Sequence, residues 1–286
     1  MSNNLKTAQH YQCPVCEQPL NPSLRQFICE NNHTFDVHKK GYLNLLLAHK
    51  KNSKAPGDDA DMVESRRRFL AANHYQPLAD FVAEQAQQLL PESATIWDAG
   101  CGEGYYTQII AQSNPDFMVY GLDISKPAIQ AASRFKEIHW SVASSAHPPY
   151  GSNSFDAIVS IFSRVDAVPF HRVLKNNGSV LMVVPDSDHL MGLRKIIYDK
   201  VRPYDTSKHL EYFNNGFELV SEQRITVPLN LTTNEAIFDL LGMTPHAHRL
   251  PIDKRRQLSE VASLTDTACF KLYHFRKSHQ SQDQIS

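Results

Sequence analysis

Three of the chain's five cysteines fall close together near its start, in the spacing Cys13-x2-Cys16-x12-Cys29-x3-His33. Thiolate sulfur and neutral imidazole are the donors that a tetrahedral zinc ion takes. A C-x2-C pair bends into a knuckle that offers two sulfurs to one ion. The longer gap allows a hairpin to bring Cys29 and His33 back to it. Four protein donors close the coordination sphere, so an ion held there would be structural rather than catalytic. His38 competes with His33 for the fourth place, and the shorter spacing from Cys29 favours His33. Zinc would hold together a segment too short to own a core.

A second constellation is Asp98-x-Gly100-x-Gly102-x-Gly104, in "IWDAGCGEGYY". It ends a short apolar run and precedes a helical pattern. Glycines at alternate positions let the backbone turn sharply and approach a ligand closely, and the helix start offers free N–H groups. Further on, "YGLD" puts Asp123 at the end of the next apolar run, where a carboxylate can accept two ribose hydroxyls. A glycine loop after one strand and an acid after the next point to a nucleoside cofactor. The dinucleotide fingerprint is G-x-G-x-x-G, whereas the spacing here is G-x-G-x-G led by an acid. Cys101 is expected to fill loop space rather than act as a nucleophile.

These residues need elements to position them. "TIWDAG", "FMVYGLD", "IHWSVAS", "SFDAIVSIF" and "GSVLMVVP" read as strands, and "PLADFVAEQAQQLL", "YYTQIIAQS", "KPAIQAASRFK" and "VPFHRVLK" as helices between or before them. Such alternation predicts an α/β fold whose mostly parallel sheet is covered on both faces. Helices are expected at Leu190–Lys200 and Asn234–Leu241, and strands at Phe217–Val227 and Ala268–His274. "DADMVESRRRFLAANHY" reads as a helix with Asp58 to Asp61 at its positive end. The expected division is a zinc-binding module at 1–36, a basic linker and connecting helix at 37–75, and a cofactor domain at 76–286.

The chain has 286 residues, 42% of them hydrophobic and 21% charged, with a net charge of −1. That balance excludes a globally basic polyanion binder but not a local basic face. Between Val37 and Gly57 lie Lys39, Lys40, Lys50, Lys51 and Lys54 and no acid. No apolar run is long enough to span a bilayer, and the polar start lacks the core of a secretory signal. The expectation is a cytoplasmic protein with no membrane partner, where clustered cysteines hold metal rather than form disulfides.

The acid-led glycine loop resembles the first motif of class I S-adenosylmethionine-dependent methyltransferases, over roughly residues 76–185. The resemblance implies a Rossmann-like domain with a seven-stranded sheet. It puts Gly100, Cys101, Gly102 and Glu103 near the amino-acid part of the cofactor, Asp98 and Gly104 at the cofactor site beside them, Asp123 on its ribose, and Ser144 or Ser145 near adenine. "HPPY" at 147–150 resembles the motif of adenine amino-methylating enzymes, but it precedes the expected fourth strand, "SFDAIVSIF", and lacks the leading Asn or Asp. It is read as a loop.

From about Cys13 to Met243 the chain also resembles bacterial 23S rRNA (guanine-N1)-methyltransferases of the RlmA type. The matching pieces include "CPVC", "ICENNHTFD", "GYLNLL", "PGD", "RRRFL", "HYQPL", "DAGCGEGYYT", "GLDISKPAI", "HLM" and "MTP". This resemblance implies Tyr75 and His189 at the cofactor pocket, and Cys13, Cys16, Cys29 and His33 as zinc ligands. It implies a 23S rRNA hairpin as partner, gripped by the zinc module and the Lys39–Lys54 segment, with Arg66, Arg67 and Arg68 adding charge. A homodimer is compatible with it. Guanine N1 lies on the Watson–Crick edge, so the target must be extruded before it reacts. His189, Asp186 and Glu103 are candidates by position for the group that takes the N1 proton, solvent or hydroxide is a fourth, and none is singled out. His246 and His248 lack companions at metal-ligand spacing. Where some relatives read "YAPC" after the fourth strand, this chain has "FSRVD" at 162–166, on the substrate side. Two other classes stay open: a small-molecule methyltransferase with a quinone-type acceptor, and a non-catalytic zinc-containing RNA binder.

Overall fold

The computed structural model describes residues 8–48, 56–205, 210–213, 216–244, 246–247 and 250–278. Lys50, Lys51, Lys54 and His248 lie outside the described residues. The chain begins with a three-stranded antiparallel sheet of β1 (Asn21–Ser23), β2 (Gln26–Ile28) and β3 (Thr34–Asp36). Next come β4 (Tyr42–Asn44), α1 (Ala60–Ala71) and α2 (Gln76–Leu89). The central alternation is β5 (Thr95–Ala99), α3 (Tyr105–Ser113), β6 (Met118–Asp123), α4 (Lys126–Ala132), β7 (His139–Val142), β8 (Phe155–Ile161), α5 (Ala167–Val173) and β9 (Leu174–Pro185). It closes with α6 (Met191–Ile197), β10 (Phe217–Leu231), α7 (Asn234–Gly242), α8 (Ile252–Ser259) and β11 (Leu264–Lys277).

Eight strands pair in the order β10-β11-β9-β8-β5-β6-β7-β4. All pairs from β9 through β4 are parallel, while β11 runs antiparallel to both β9 and β10. The seven strands implied by the resemblance are present. The eighth is β4, from the segment expected to be a linker; its Tyr42, Leu43 and Asn44 pair with Trp140, Ser141 and Val142. The last two strands are longer than their sequence pattern predicts. β10 continues through Pro228 because it lies at the sheet edge, where a missing N–H costs no ladder bond. The helix expected from Leu190 starts one residue later, since Leu190 adopts a left-handed φ of 52°. Lys175–Gly178 form an irregularity near the start of β9, where its register with β8 shifts and Asn177 takes the left-handed φ of 62° that asparagine tolerates.

Side chains of a strand alternate between faces, and here each face feeds its own core. Ile96, Val119, Val159, Leu181 and Val183 join one cluster with Leu78 and Val82 of α2, Ile129 of α4 and Leu240 of α7. Trp97, Tyr120, Ile158, Val180 and Met182 join the other. In that second cluster stand Tyr11, Leu20 and Phe27 of the N-terminal module, all at most 2% exposed, beside Tyr150, Phe155 and Phe170. The β7–β8 connection holds no helix, and the N-terminal module packs where one would otherwise cover the sheet. Gln12 N–H donates to Pro149 O (2.8 Å), Gly151 N–H donates to His10 O (3.1 Å), and the Tyr11 and Tyr150 rings stack at 5.6 Å. The Pro-Pro-Tyr segment is a docking strip for the module, held from behind by Arg172 on the Pro148 and Tyr150 carbonyls.

Candidate active site

The ligand atoms of Cys13, Cys16, Cys29 and His33 all lie within 4.8 Å of one another. Cys13 Sγ and Cys29 Sγ each stand 3.5 Å from His33 Nδ1, and Cys16 Sγ stands 3.7 Å from Cys29 Sγ. A tetrahedral zinc with its usual bond lengths requires edges of about 3.6 Å between sulfur and nitrogen and about 3.8 Å between sulfurs. The four donors fit that ion. The Gln18 backbone N–H pulls the Cys16 thiol down to about 6, toward the thiolate that zinc needs. His38 is elsewhere: its ring stacks on Tyr42 at 4.5 Å and its Nδ1 accepts the Lys40 N–H.

At the carboxyl ends of β5, β6 and β7 the structure brings together Asp98, the glycine loop, Asp123 and Ser144. All three glycines have left-handed φ, of 82°, 56° and 84°, but they are needed for different reasons. A Cβ on Gly100 would lie 2.4 Å from Ser163 Cβ, and one on Gly104 2.8 Å from Trp140 Cη2. Those two are demanded by packing beneath the loop. A Cβ on Gly102 would meet only Arg66 Nη1, at 3.5 Å. The crest of the loop is open, as a ligand-binding surface must be. No side chain caps the N-terminus of α3 just beyond it.

Asp123 accepts the Gly102 N–H (2.9 Å) on one oxygen and the Ser125 N–H (2.7 Å) on the other. Burial raises its pKa, opposed by those two N–H groups. Each oxygen keeps a second lone pair for a hydroxyl. Ser144 sits half-buried at the end of β7, its Oγ accepting the Ala146 N–H. Cys101 points down: it is 8% exposed, and its Sγ lies 3.2 Å from where a Gly121 Cβ would be. Burial pushes its thiol pKa well up, so it packs and is not a nucleophile. Glu103, 1% exposed, is paired with Arg134 at 2.5 Å.

Asp98 is 2% exposed; its Oδ2 accepts from Thr107 Oγ1 at 2.6 Å, while its Oδ1 has no partner within the protein. Burial raises its pKa to about 7. A carboxyl raised in this way contributes stability below its unfolded pKa near 3.8, and that contribution is lost as pH rises through about 7. Asp98→Asn should therefore gain on the wild type in stability as pH rises from 5 to 7, by about 2–3 kcal/mol, and level off above that. Melting curves of both proteins across that range test this; a difference that stays flat with pH rules it out.

Tyr75 and His189 lie on an aromatic wall built around Phe270, with ring centroids 5.2 Å and 4.7 Å from it. His189 Nδ1–H donates to Cys269 O at 3.0 Å, which leaves the lone pair on Nε2. Burial lowers its pKa to about 4, so the ring is neutral. Burial also raises the Tyr75 hydroxyl, which stays protonated. Asp186 is held by Arg224 (2.7 Å) and by the Ser187 N–H (2.7 Å).

Several residues at the site escaped the sequence reading. The Gly57–Asp58 segment straps the end of β6: Ser125 Oγ donates to Asp58 O (2.6 Å), and Arg66 pairs with the Asp58 carboxylate. Arg67 pairs with Glu64 (2.6 Å) and Arg68 with Asp239 (2.5 Å). All three arginines expected to face a polyanion are thus already engaged by acids of the chain. Trp140 and Gly121, packed together beneath Gly104, carried no sequence signal, because Trp140 reaches the loop from a strand two places away in the sheet. His246 is held between two tyrosines, with Nδ1 and Nε2 at 2.6 and 2.8 Å from the Tyr198 and Tyr204 hydroxyls.

An open, mostly parallel sheet with a left-handed glycine loop after β5 and an acid after β6 is the architecture of class I, Rossmann-like methyltransferases. A family model described as a methyltransferase domain matches residues 96–182, and the zinc-ribbon model described as "RlmA, N-terminal" matches 11–54. The chain belongs to the family of 23S rRNA (guanine-N1)-methyltransferases. It is 34% identical to "Putative 23S rRNA (guanine-N(1)-)-methyltransferase YxjB" of Bacillus subtilis (strain 168), over 88% of this chain and 92% of the relative. It is 29% identical to the 23S rRNA (guanine(748)-N(1))-methyltransferase of Streptomyces fradiae, over 91% of this chain and 96% of that one. Among solved structures, the YcgJ protein of Bacillus subtilis shares the fold, with a TM-score of 0.50 and 16% identity over 71% of this chain and 98% of that one.

Proposed function

We propose that this protein transfers a methyl group from S-adenosylmethionine to N1 of a guanine in 23S rRNA. The observation that carries this reading is the full-length match to relatives of that name, which spans the ribbon and the methyltransferase domain together.

S-adenosylmethionine supplies an electrophilic methyl group on a sulfonium. The open crest at Gly102, with the backbone of Gly100–Gly104 and the unpaired Asp98 Oδ1, would hold its amino-acid end, Asp123 its ribose and Ser144 its adenine. Tyr75 and His189 would close the pocket from the wall. In-line displacement at a methyl group asks mainly for alignment and exclusion of water, both of which the buried aromatic wall favours. Of the three groups considered for the N1 proton, Glu103 and Asp186 are neutralised by Arg134 and Arg224. His189 keeps a lone pair. It is a weak base, and a weak one suffices, because methylation makes the N1 proton strongly acidic.

In this reading the zinc module (1–36) and connecting segment (37–75) present a 23S rRNA hairpin to the catalytic domain (76–286) in the cytoplasm, and light scattering tests for a homodimer. No helix among the described residues is long and apolar enough to cross a membrane. A strain lacking the protein should lose one primer-extension stop at a 23S guanine, since N1 methylation blocks the pairing edge. The purified protein with S-adenosylmethionine should restore that stop and one N1-methylguanosine per rRNA by mass spectrometry. An unchanged stop would remove the assignment.

A further inference from the structure

Phe162 follows β8 directly and has a φ of 55°. A bulky side chain is disfavoured there, and such strain persists only where the surroundings over-determine the backbone. Here they do. Phe162 N–H donates to Val183 O at 3.0 Å. The next residue, Ser163, hydrogen-bonds through Oγ to the Ala99 carbonyl at the end of β5 and to Ser160 Oγ at 2.9 Å. Its Cβ is the atom packed under Gly100. The turn is therefore bolted to the base of the glycine loop, and it holds an aromatic ring that is not buried.

That ring is 42% exposed, one of the few large apolar side chains that face solvent. Its inner side is supported by Phe270, with centroids 5.2 Å apart and planes at 39°, and by the edge of Tyr106 at 6.1 Å and 77°. Phe270 is the same ring that carries Tyr75 and His189, and Tyr106 is in the first turn of α3 just past the loop. A partly exposed aromatic surface thus stands next to the rings proposed to line the cofactor pocket. A purine turned out of its helix loses its stacking partners and needs a π surface to replace them.

We propose that Phe162 is the stacking platform for the extruded target purine, its strained backbone holding the ring at the pocket mouth. This rests on the reading of the acceptor as an RNA base.

The test uses Phe162→Trp as a reporter. The chain's two tryptophans, Trp97 and Trp140, are 0% and 1% exposed and out of reach of a base. Indole emission of the variant should be quenched when unmodified 23S rRNA transcript is added with S-adenosylhomocysteine, and methylation should stay within a few-fold of wild type. Phe162→Leu keeps the apolar contact with Phe270 but has no π face; Phe162→Asn accepts the left-handed φ without strain. Both should lose on the order of 10–100-fold in kcat/KM for RNA, with S-adenosylhomocysteine affinity within twofold of wild type by calorimetry. A merely structural role predicts that Leu rescues activity. Wild-type turnover by the Leu variant, or unquenched emission alongside an active wild type, overturns the platform alone. A wild type that leaves the transcript unmethylated overturns the RNA reading and the platform with it.

Discussion

Stripping zinc from the folded protein, or replacing Cys29 by Ser, is expected to melt the second core of the catalytic domain along with the ribbon. Three-residue strands cannot hold a hairpin without the ion. Once the ribbon loosens, Tyr11, Leu20 and Phe27 leave the face of the sheet they cover, where Tyr11 packs against Tyr120 and Tyr150. Each fully buried side chain of this kind contributes about 1.5–3 kcal/mol, and Trp97, Tyr120 and Phe155 would lose their cover in turn. For a chain of this size the loss corresponds to a fall in Tm on the order of 10–20 °C. Scanning calorimetry with and without chelator, followed by a titration with S-adenosylhomocysteine, reads this directly. A separate early transition for the ribbon, with the main transition and cofactor affinity unmoved, would show that the two parts are independent.

The second large effect is expected at Gly100. Alanine there must adopt a φ near 82° and place its Cβ 2.4 Å from Ser163 Cβ. The left-handed conformation costs about 1–2 kcal/mol, and overpacking a further 1–3 kcal/mol. Ser163 cannot retreat cheaply, because it is hydrogen-bonded to Ala99 and Ser160. Relaxation will instead move the loop, so Gly100→Ala should lower both thermal stability and S-adenosylhomocysteine affinity, the latter by about 100-fold or more. Gly102→Ala is the control. Its Cβ would meet only the tip of Arg66, at 3.5 Å, so it carries the left-handed cost without the overpacking and should lose less stability than Gly100→Ala while still losing affinity. Equal losses of Tm in the two variants would contradict the division of labour between packing glycines and a ligand-facing one.

The zinc module by itself does not tell an RNA acceptor from the small-molecule one that the sequence left open. A ribbon that covers a sheet face would serve any acceptor. The acceptor class rests on family membership across both parts of the chain. The positive charge expected of Arg66, Arg67 and Arg68 met a similar fate: read along the chain they form a basic run, but in the fold each has its own acid.

What the amino-acid order determined by itself is whatever depends on neighbours a few residues apart. The x2 and x3 spacings set the zinc knuckles, the alternate glycines set the loop, and apolar periodicity separated strand from helix, because backbone geometry converts short spacings directly into positions. Asp123 belonged to this class too, as the residue ending a second strand. Only the tertiary structure decided where the ribbon docks, which glycines serve packing, and that Phe162 stands exposed on Phe270 and Tyr106. Those depend on partners brought together across the sheet, such as Tyr11 with Tyr150, Arg68 with Asp239, or Ser163 beneath Gly100. Contacts of that kind arise when distant segments compete for the same buried surface, and no local spacing encodes the winner.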